Sequence, residues 1–240
     1  MIEQLLDPYE LKARVAPGLI LAFPLLAAAI YAAPALGSWP IFATGGFVSL
    51  ALVYGLSHLI RARGDAIEKK LWANWGGPPS TRFVRQKDHT FSADLKVLIY
   101  EAVSREFSVH LLIGSEAAKD PDRADRMIVD AFRQVRQYLR QHDANGLWSK
   151  HNIEYGFCRN LLACREIWVI IALSATVFSA VYGGRSGSHV LNPATVIGAL
   201  SLVCALYLGW AVLPKGTKHA ADAYAESAWM AFLRISKEAH

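Results

Sequence analysis

Four long runs of apolar residues, separated by charged segments, dominate the pattern of hydrophobic and polar positions along this chain of 240 residues. Each run approaches the length of about 20 residues that a helix needs to cross a hydrocarbon layer roughly 30 Å thick. None of the runs contains Asp, Glu, Lys or Arg, and short connections join the first to the second and the third to the fourth. The runs cover residues 15–36, 39–60, 167–182 and 190–213.

This pattern predicts an all-α integral membrane protein with four transmembrane helices in two hairpins and a helical cytoplasmic domain inserted between helices 2 and 3. Composition agrees, since 53% of the residues are hydrophobic and only 19% are charged, less charge than soluble domains usually carry. We predict an N-terminal interfacial helix (1–14), two transmembrane hairpins (15–60 and 167–213), the cytoplasmic helical domain (61–166) and a C-terminal cytoplasmic helix (214–240).

The positions of Lys and Arg predict the orientation, because short loops rich in these residues usually stay in the cytoplasm. The two hairpin tips carry only Arg185, whereas the opposite ends of the runs are basic. We therefore expect a multi-pass protein with the N-terminus, the C-terminus and residues 61–166 in the cytoplasm. The basic residues on that side are Lys12, Arg14, Arg61, Arg63, Arg159, Arg165, Lys215 and Lys218.

The runs themselves carry no ionisable Asp, Glu, Lys or Arg of the kind that proton relays and ion-coupled sites use, which disfavours a pump or transporter. Small residues recur at fourth positions, a pattern that lets helices approach closely within one chain or between subunits. Several hydroxyls can either line a wet path in an oligomer or satisfy nearby carbonyls. The small residues are Gly45, Ser49, Ala172, Thr176, Ala180, Ala194 and Gly198; the hydroxyl residues are Ser174, Thr176, Ser179, Thr195 and Ser201.

The 61–166 domain reads as a continuation of the second span to Trp75, a turn, helices at about 92–113 and 122–142, and an amphipathic segment at 148–165. The 122–142 helix places its apolar residues on one face and four arginines on the other. This arginine face is either a solvated surface, a contact with anionic lipid head groups, or a docking site for a phosphate-bearing or acidic partner. Arginine without lysine favours recognition. The four are Arg126, Arg133, Arg136 and Arg140.

Two motifs flank the inserted domain. The first, W-G-G-P-P-S-T at residues 75–81, predicts a rigid corner at the membrane border, with ligand contact through Trp75, Thr81 and Arg82 as the alternative. The second, N-x-x-Y-G-F-x-R-N at residues 152–160, groups Tyr155, Arg159 and Asn160 at helical spacing. These polar residues either pack against the corner or share a ligand site with it.

Together the two motifs resemble a group of bacterial four-span membrane proteins that has no assigned activity. The resemblance implies a location in the bacterial inner membrane. The layout is also similar to that of membrane effectors of bacterial antiphage systems, which are small bundles with a cytoplasmic sensing part.

We therefore expect an oligomeric inner-membrane effector or channel-like protein whose cytoplasmic helical cap senses a ligand or protein partner. A non-conducting scaffold that recruits a cytoplasmic partner is the alternative, followed by a membrane-embedded enzyme. The expected partners are the lipid bilayer, further copies of the chain, and a cytoplasmic protein or an anionic small molecule. We do not expect direct binding of nucleic acid.

The sequence favours a non-catalytic protein without cofactor or metal. No G-x-S-x-G or H-E-x-x-H motif occurs, and the His and Cys residues lack the spacing of zinc ligands. Glu106 and His110 lie one helical turn apart in the predicted 92–113 helix, which indicates a solvated side-chain pair rather than a catalytic one.

Overall fold

A computed structural model describes residues 8–32, 39–187 and 189–238, and for residue 8 and residues 39–53 it describes the backbone alone. Within these ranges every element is helical and no β-strand occurs. The elements in chain order are α1 (Pro8–Glu10), the π-helix π1 (Leu11–Val15), α2 (Ala16–Ala32), α3 (Trp39–Asn74), α4 (Pro79–Arg82), α5 (Ala93–Phe107), α6 (Ser115–Lys119), α7 (Pro121–His142), α8 (Leu147–Ala163), α9 (Arg165–Arg185), α10 (Pro193–Tyr207), the π-helix π2 (Leu208–Val212) and α11 (Leu213–Glu238).

The chain divides into two compact units. The span unit comprises Met1–Glu68 and Ile153–Thr217, and the insert unit comprises Lys69–Asn152 and Lys218–His240. The boundaries between them fall inside α3, α8 and α11. The insert unit thus combines most of the predicted cytoplasmic domain with most of the predicted C-terminal helix.

Three helical segments among the described residues are long and apolar enough to cross a membrane: Leu11–Ala32, Arg165–Arg185 and Pro193–Glu238. They correspond to the first, third and fourth apolar runs, and their length and composition indicate a membrane protein. The second run begins α3, but the side chains of residues 39–53, including Gly45 and Ser49, lie outside the described part. A fourth span therefore stays a prediction.

The small residues of the span unit pack within the chain. Helix α9 packs against α10 and α2, and a Cβ atom at Gly198 would lie only 2.5 Å from Thr176 Oγ1. Ala172 and Ala194 are buried in the same unit. Small side chains therefore allow close approach of helices inside one copy of the protein.

The hydroxyl groups of the spans mostly face protein. Thr176 donates to the Ala172 carbonyl at 2.7 Å, and Ser201 accepts a hydrogen bond from Trp168 at 3.0 Å. Ser179 and Thr195 are buried, whereas Ser174 is exposed. The side chains that α9 and α10 expose are largely apolar, as expected of a lipid-facing surface; they include Ile170, Leu173, Val177, Leu200 and Val203.

Aromatic side chains build the core of the insert unit. Phe107 of α5 stacks on Phe232 of α11 with ring centroids 5.4 Å apart, and Tyr138 of α7 meets the same ring edge-on at 5.7 Å. Trp229 is fully buried, and its indole N–H donates to the Ser80 carbonyl at 2.9 Å. Such pairs add to the stabilisation from apolar burial.

Helix α7 begins where its sequence indicates. The Asp120 side chain accepts a hydrogen bond from the Arg123 amide at 2.9 Å, and Pro121 occupies the first turn. Its buried face contains Ala124, Ile128, Ala131, Phe132, Val135 and Leu139. The predicted 122–142 helix and its apolar face are confirmed.

One predicted helix end is wrong, and two of the predicted domain boundaries fall inside continuous helix. The helix expected over 92–113 ends at Phe107, because Ser108 adopts a left-handed conformation with φ of 55°. The boundary expected between residues 213 and 214 lies within helix, since helix continues from Pro193 to Glu238. At the other end, helix runs without interruption from Pro8 to Ala32, so the described part of the interfacial segment is continuous with the first span; residues 1–7 lie outside the description.

Candidate anion-binding site

The W-G-G-P-P-S-T motif forms a sharp corner, as predicted. Helix α3 ends at Asn74, and Gly76 and Gly77 follow with φ of 78° and 121°, values that disfavour other residues. Pro78 is extended and α4 starts at Pro79. A side chain at Gly77 would also collide with Arg85, whose Nη2 lies 2.6 Å from the position of such a Cβ atom. Glycine is therefore required at the corner both for the positive φ values of the backbone and, at position 77, for the space that Arg85 occupies.

Arg85 connects this corner to α7. Its guanidinium binds Asp125 through two hydrogen bonds, Nε to Oδ1 at 2.8 Å and Nη2 to Oδ2 at 2.5 Å, and it also donates to the Gly76 carbonyl. A two-point pair of this kind fixes orientation as well as distance. The pair is half-buried and therefore orders the segment that follows α4.

A cavity of about 410 Å³ lies beside the Arg85–Asp125 pair. We call it the Thr81 cavity, because Thr81 is 1% exposed and its Oγ1 atom is buried without a hydrogen-bond partner among the described residues. Its lining consists of Pro78, Thr81, Arg85, Asp125, Arg126, Val129, Asp130 and Arg133. A buried hydroxyl without a partner is uncommon and calls for an explanation.

Some of the charged side chains around the Thr81 cavity form ion pairs with each other, and one does not. Asp125 engages Arg85, and Asp130 accepts a hydrogen bond from Arg133 at 2.8 Å. Arg126 is exposed and makes no ion pair or hydrogen bond within the described ranges. Three arginines therefore face two aspartates, and the guanidinium without an internal acceptor belongs to Arg126.

Other residues predicted for this site lie elsewhere in the insert unit. Arg82 pairs with Asp222 at 3.1 Å and donates to the Trp75 carbonyl at 3.3 Å, so it holds the corner to α11. Arg136 lies over the Phe132 ring at 5.9 Å. Arg140 is exposed on α7 and does not line the cavity.

Asp88 forms part of the same support. Burial alone would raise the pKa of this carboxyl, but a hydrogen bond from Thr90 and the nearby charges of Arg82 and Lys96 hold it below its usual value. Buried Lys96 donates to the carbonyls of Arg85 and Asp88. The loop that carries Arg85 is therefore fixed from both ends.

The polar side chains of Tyr155, Arg159 and Asn160, in the N-x-x-Y-G-F-x-R-N motif, bind protein groups inside the span unit. Tyr155 donates to Glu68 at 2.9 Å, and Arg159, which is 7% exposed, donates to the same carboxylate at 2.6 Å. Asp65 lies 3.4 Å from the Arg159 guanidinium. Burial disfavours the charged guanidinium, but Glu68 reverses that effect and raises the pKa of Arg159.

Asn160 completes this network by contacting the N-terminal helix. Its Nδ2 donates to the Ala13 carbonyl in π1 at 2.7 Å, and its Oδ1 accepts hydrogen bonds from Arg159. Gly156 admits Tyr9 and Ala13 within about 3 Å of where its Cβ would lie. Packing within the span unit therefore accounts for Tyr155, Gly156, Arg159 and Asn160, and a ligand site shared with the 75–81 corner stays a prediction.

Glu106 and His110 do not lie one turn apart on the same helix, contrary to the prediction. His110 lies beyond the end of α5, and its Nδ1 is 2.8 Å from Ser104 Oγ. In the described part of the chain, no group of three or more His, Cys, Asp or Glu side chains is placed to hold a metal ion.

Sequence prediction missed Arg85 and Asp125. The sequence places Arg85 three residues after Arg82, just beyond the corner, but its partner Asp125 lies 40 residues away in sequence.

Comparison of the chain with protein families, with curated proteins and with solved structures finds no match.

Proposed function

We propose that this protein is a membrane-anchored binding protein that holds an anionic, phosphate-bearing ligand in the Thr81 cavity of its insert unit. The observation that carries the proposal is the combination of a buried Thr81 hydroxyl without a partner and an Arg126 guanidinium without an internal acceptor. The chain would thereby recruit its ligand to the bacterial inner membrane, with the insert unit and both termini in the cytoplasm.

The chemistry of the cavity suits phosphate oxygens. Guanidinium groups bind phosphate in a planar geometry, and a threonine hydroxyl adds a further donor. Because Asp125 and Asp130 already accept hydrogen bonds from Arg85 and Arg133, they repel an incoming anion less than free carboxylates would. The local excess of one positive charge then favours an anion over a cation.

The spans favour an anchor over a conducting path. A pore needs polar groups on a face that copies can turn toward a common axis, whereas most of the predicted hydroxyls bond or are buried inside one copy. In a non-conducting scaffold, the Thr176 hydroxyl satisfies a local carbonyl and Ser201 accepts from the Trp168 N–H, whereas the buried Ser179 and Thr195 hydroxyls have no partner among the described residues. This reading matches the apolar side chains that α9 and α10 expose.

A second candidate is the oligomeric effector, including a role in antiphage defence. The observation that favours it is a groove of about 650 Å³ along α9, lined by apolar side chains together with Ser174 and Arg185. A helix from a second copy would fill such a groove. Subunit counting in nanodiscs and dye release from vesicles separate the candidates, because only a conducting oligomer releases dye.

Calorimetric titration of the full chain with inorganic pyrophosphate, in nanodiscs of phosphatidylcholine, tests the binding function. We expect one saturable site whose affinity falls with added salt. Arg126→Gln should weaken binding about tenfold, since a charge-assisted hydrogen bond contributes about 1.5 kcal/mol or more. Thr81→Val should also weaken it while leaving the melting temperature unchanged or higher, because the variant removes a buried hydroxyl that lacks a partner.

Arg140→Gln is the matched control, because it removes the same charge from the same helix outside the cavity. We expect it to change pyrophosphate affinity by less than about twofold. Equal losses in Arg126→Gln and Arg140→Gln would show that the arginine face attracts anions by general charge. Absence of saturable binding by the unaltered chain would overturn the proposal.

A further inference from the structure

A second cavity, of about 330 Å³, shares the Arg85–Asp125 pair with the Thr81 cavity. We call it the Tyr100 cavity. It lies within the insert unit, and its size is at the lower end of the range of small-molecule sites. None of the residues that the sequence predicts for a ligand or partner site lines it.

Apolar groups form most of its wall. Ala124 and Ile128 come from the buried face of α7, Leu112 comes from the segment after α5, and α6 contributes two alanines. The Tyr100 hydroxyl donates to the Val84 carbonyl at 2.7 Å. Because that hydroxyl is already used, Tyr100 offers the cavity its ring.

The polar rim has one uncommitted cation. Arg85 is held by Asp125 and by the Gly76 carbonyl. Lys87 is exposed and makes no ion pair or hydrogen bond within the described ranges. A lysine ammonium is a mobile point charge, so it can follow an acidic group at the mouth of the cavity.

We propose that the Tyr100 cavity binds a small amphiphilic anion, with a compact apolar body against the wall and a single carboxylate at Lys87. A phosphate-rich ligand fits poorly, because most of the wall offers it no donors. A purely apolar ligand would leave the Lys87 charge unused. The Tyr100 cavity shares only Arg85 and Asp125 with the Thr81 cavity, and its proposed ligand does not require that pyrophosphate binds.

The probe is 2-naphthoate, titrated by calorimetry into the full chain in phosphatidylcholine nanodiscs, with the heat of empty nanodiscs subtracted. We expect one saturable site per chain. Neutral 2-naphthalenemethanol should bind the unaltered chain about fivefold more weakly than 2-naphthoate does. The Lys87→Glu variant should bind 2-naphthoate about fivefold more weakly than the unaltered chain does. A change of about fivefold is what loss of a partly exposed ion pair costs. Lys119→Glu is the control, since Lys119 is exposed on α6 and does not line the cavity.

Two filling variants test the location. Ala117→Phe and Ala118→Phe each place a ring on α6 where it occupies the cavity, and we expect both to reduce 2-naphthoate binding at least tenfold. The melting temperature of the same samples, followed by circular dichroism, should stay close to that of the unaltered chain and so show that the protein remains folded.

Three outcomes would overturn the proposal. The first is 2-naphthoate binding no greater than that of empty nanodiscs. The second is undiminished 2-naphthoate binding in both filling variants. The third is equal affinity for the neutral alcohol and the carboxylate, which would remove the role of Lys87. If pyrophosphate fails to bind but 2-naphthoate behaves as expected, only the proposed function is lost.

Discussion

Replacing Gly64 with alanine tests the tight contact between α3 and α8 in the span unit. A Cβ atom at Gly64 would lie far inside van der Waals contact with Asn160 Oδ1. Asn160 is not free to rotate, because its Nδ2 donates to the Ala13 carbonyl and its Oδ1 accepts from Arg159. We therefore expect Gly64→Ala to destabilise the protein, although alanine is the better helix former.

The size of this destabilisation follows from one contribution that favours alanine and two that disfavour it. Helix propensity favours alanine by about 1 kcal/mol. Displacing Asn160 breaks its buried hydrogen bond to Ala13 and costs about 1–3 kcal/mol, and forcing a methyl group into a packed contact costs about 1–3 kcal/mol more. The net loss is about 3 kcal/mol, which for a chain of this size lowers the melting temperature by roughly 6–12 °C.

Thermal unfolding of the full chain in detergent micelles, followed by circular dichroism, measures this loss. The matched control is Gly55→Ala on the same helix, where no described atom lies within 4 Å of the added Cβ; we expect its melting temperature to stay or rise slightly. In the background of Asn160→Ala, the Gly64→Ala change should cost much less. An equal loss with and without Asn160, or a loss no larger than that of Gly55→Ala, would refute the steric argument.

Three further predictions concern single groups. Trp229→Phe removes the hydrogen bond to the Ser80 carbonyl and leaves space in the core, so it should lower the free energy of unfolding by about 2 kcal/mol in a denaturant titration. Burial raises the pKa of the Cys164 thiol to about 11, so maleimide at pH 8 should label Cys164 only after the chain is unfolded in detergent, as mass spectrometry would show. Burial alone would raise the pKa of Asp88, but the Thr90 hydrogen bond and the nearby cations hold the pKa below its usual value. The charged carboxylate therefore stabilises the fold above the unfolded pKa near 4, and this stabilisation is lost as the pH falls through the lower pKa of the folded state. Asp88→Asn should accordingly make stability fall less steeply at acid pH in a pH–stability curve.

The parts of the fold that the sequence predicts are those that depend on neighbouring residues. Helix α7 shows both of its local signals, an Asp120-Pro121 start and an apolar stripe, and both agree with the structure. The third apolar run appears as α9, extended by a few residues at each end to Arg165 and Arg185. Length and periodicity are enough for such elements.

Boundaries that depend on tertiary contacts could not be read in this way. No glycine or proline marks the end of α5, and Ser108 adopts the left-handed conformation that glycine usually provides. Conversely, Gly216 suggests a break, but helix continues through it, with the Thr217 hydroxyl donating to the Leu213 carbonyl at 2.7 Å. Glycine is a permissive residue rather than an obligatory terminator.

The candidate site could be predicted only in part from the sequence, because some of its contacts join residues that are far apart along the chain. Arg126 and Arg133 lie two turns apart on one helical face, so their grouping follows from local geometry. Arg82 and Arg85 look alike in sequence, yet Arg82 braces the corner to Asp222 and Arg85 pairs with Asp125. Those assignments depend on partners 140 and 40 residues away.

The π-helix at Leu11–Val15 makes the protein sensitive to chain length rather than to side-chain identity. Its hydrogen bonds run from each carbonyl to the fifth following amide, as between Leu11 and Ala16, and so accommodate an extra residue in the turn. Deleting one residue there would restore ordinary α-helix and turn the preceding residues by about 100° relative to Asn160. Substitution of exposed Leu11 or Lys12 should be tolerated, whereas a deletion of the same size should not.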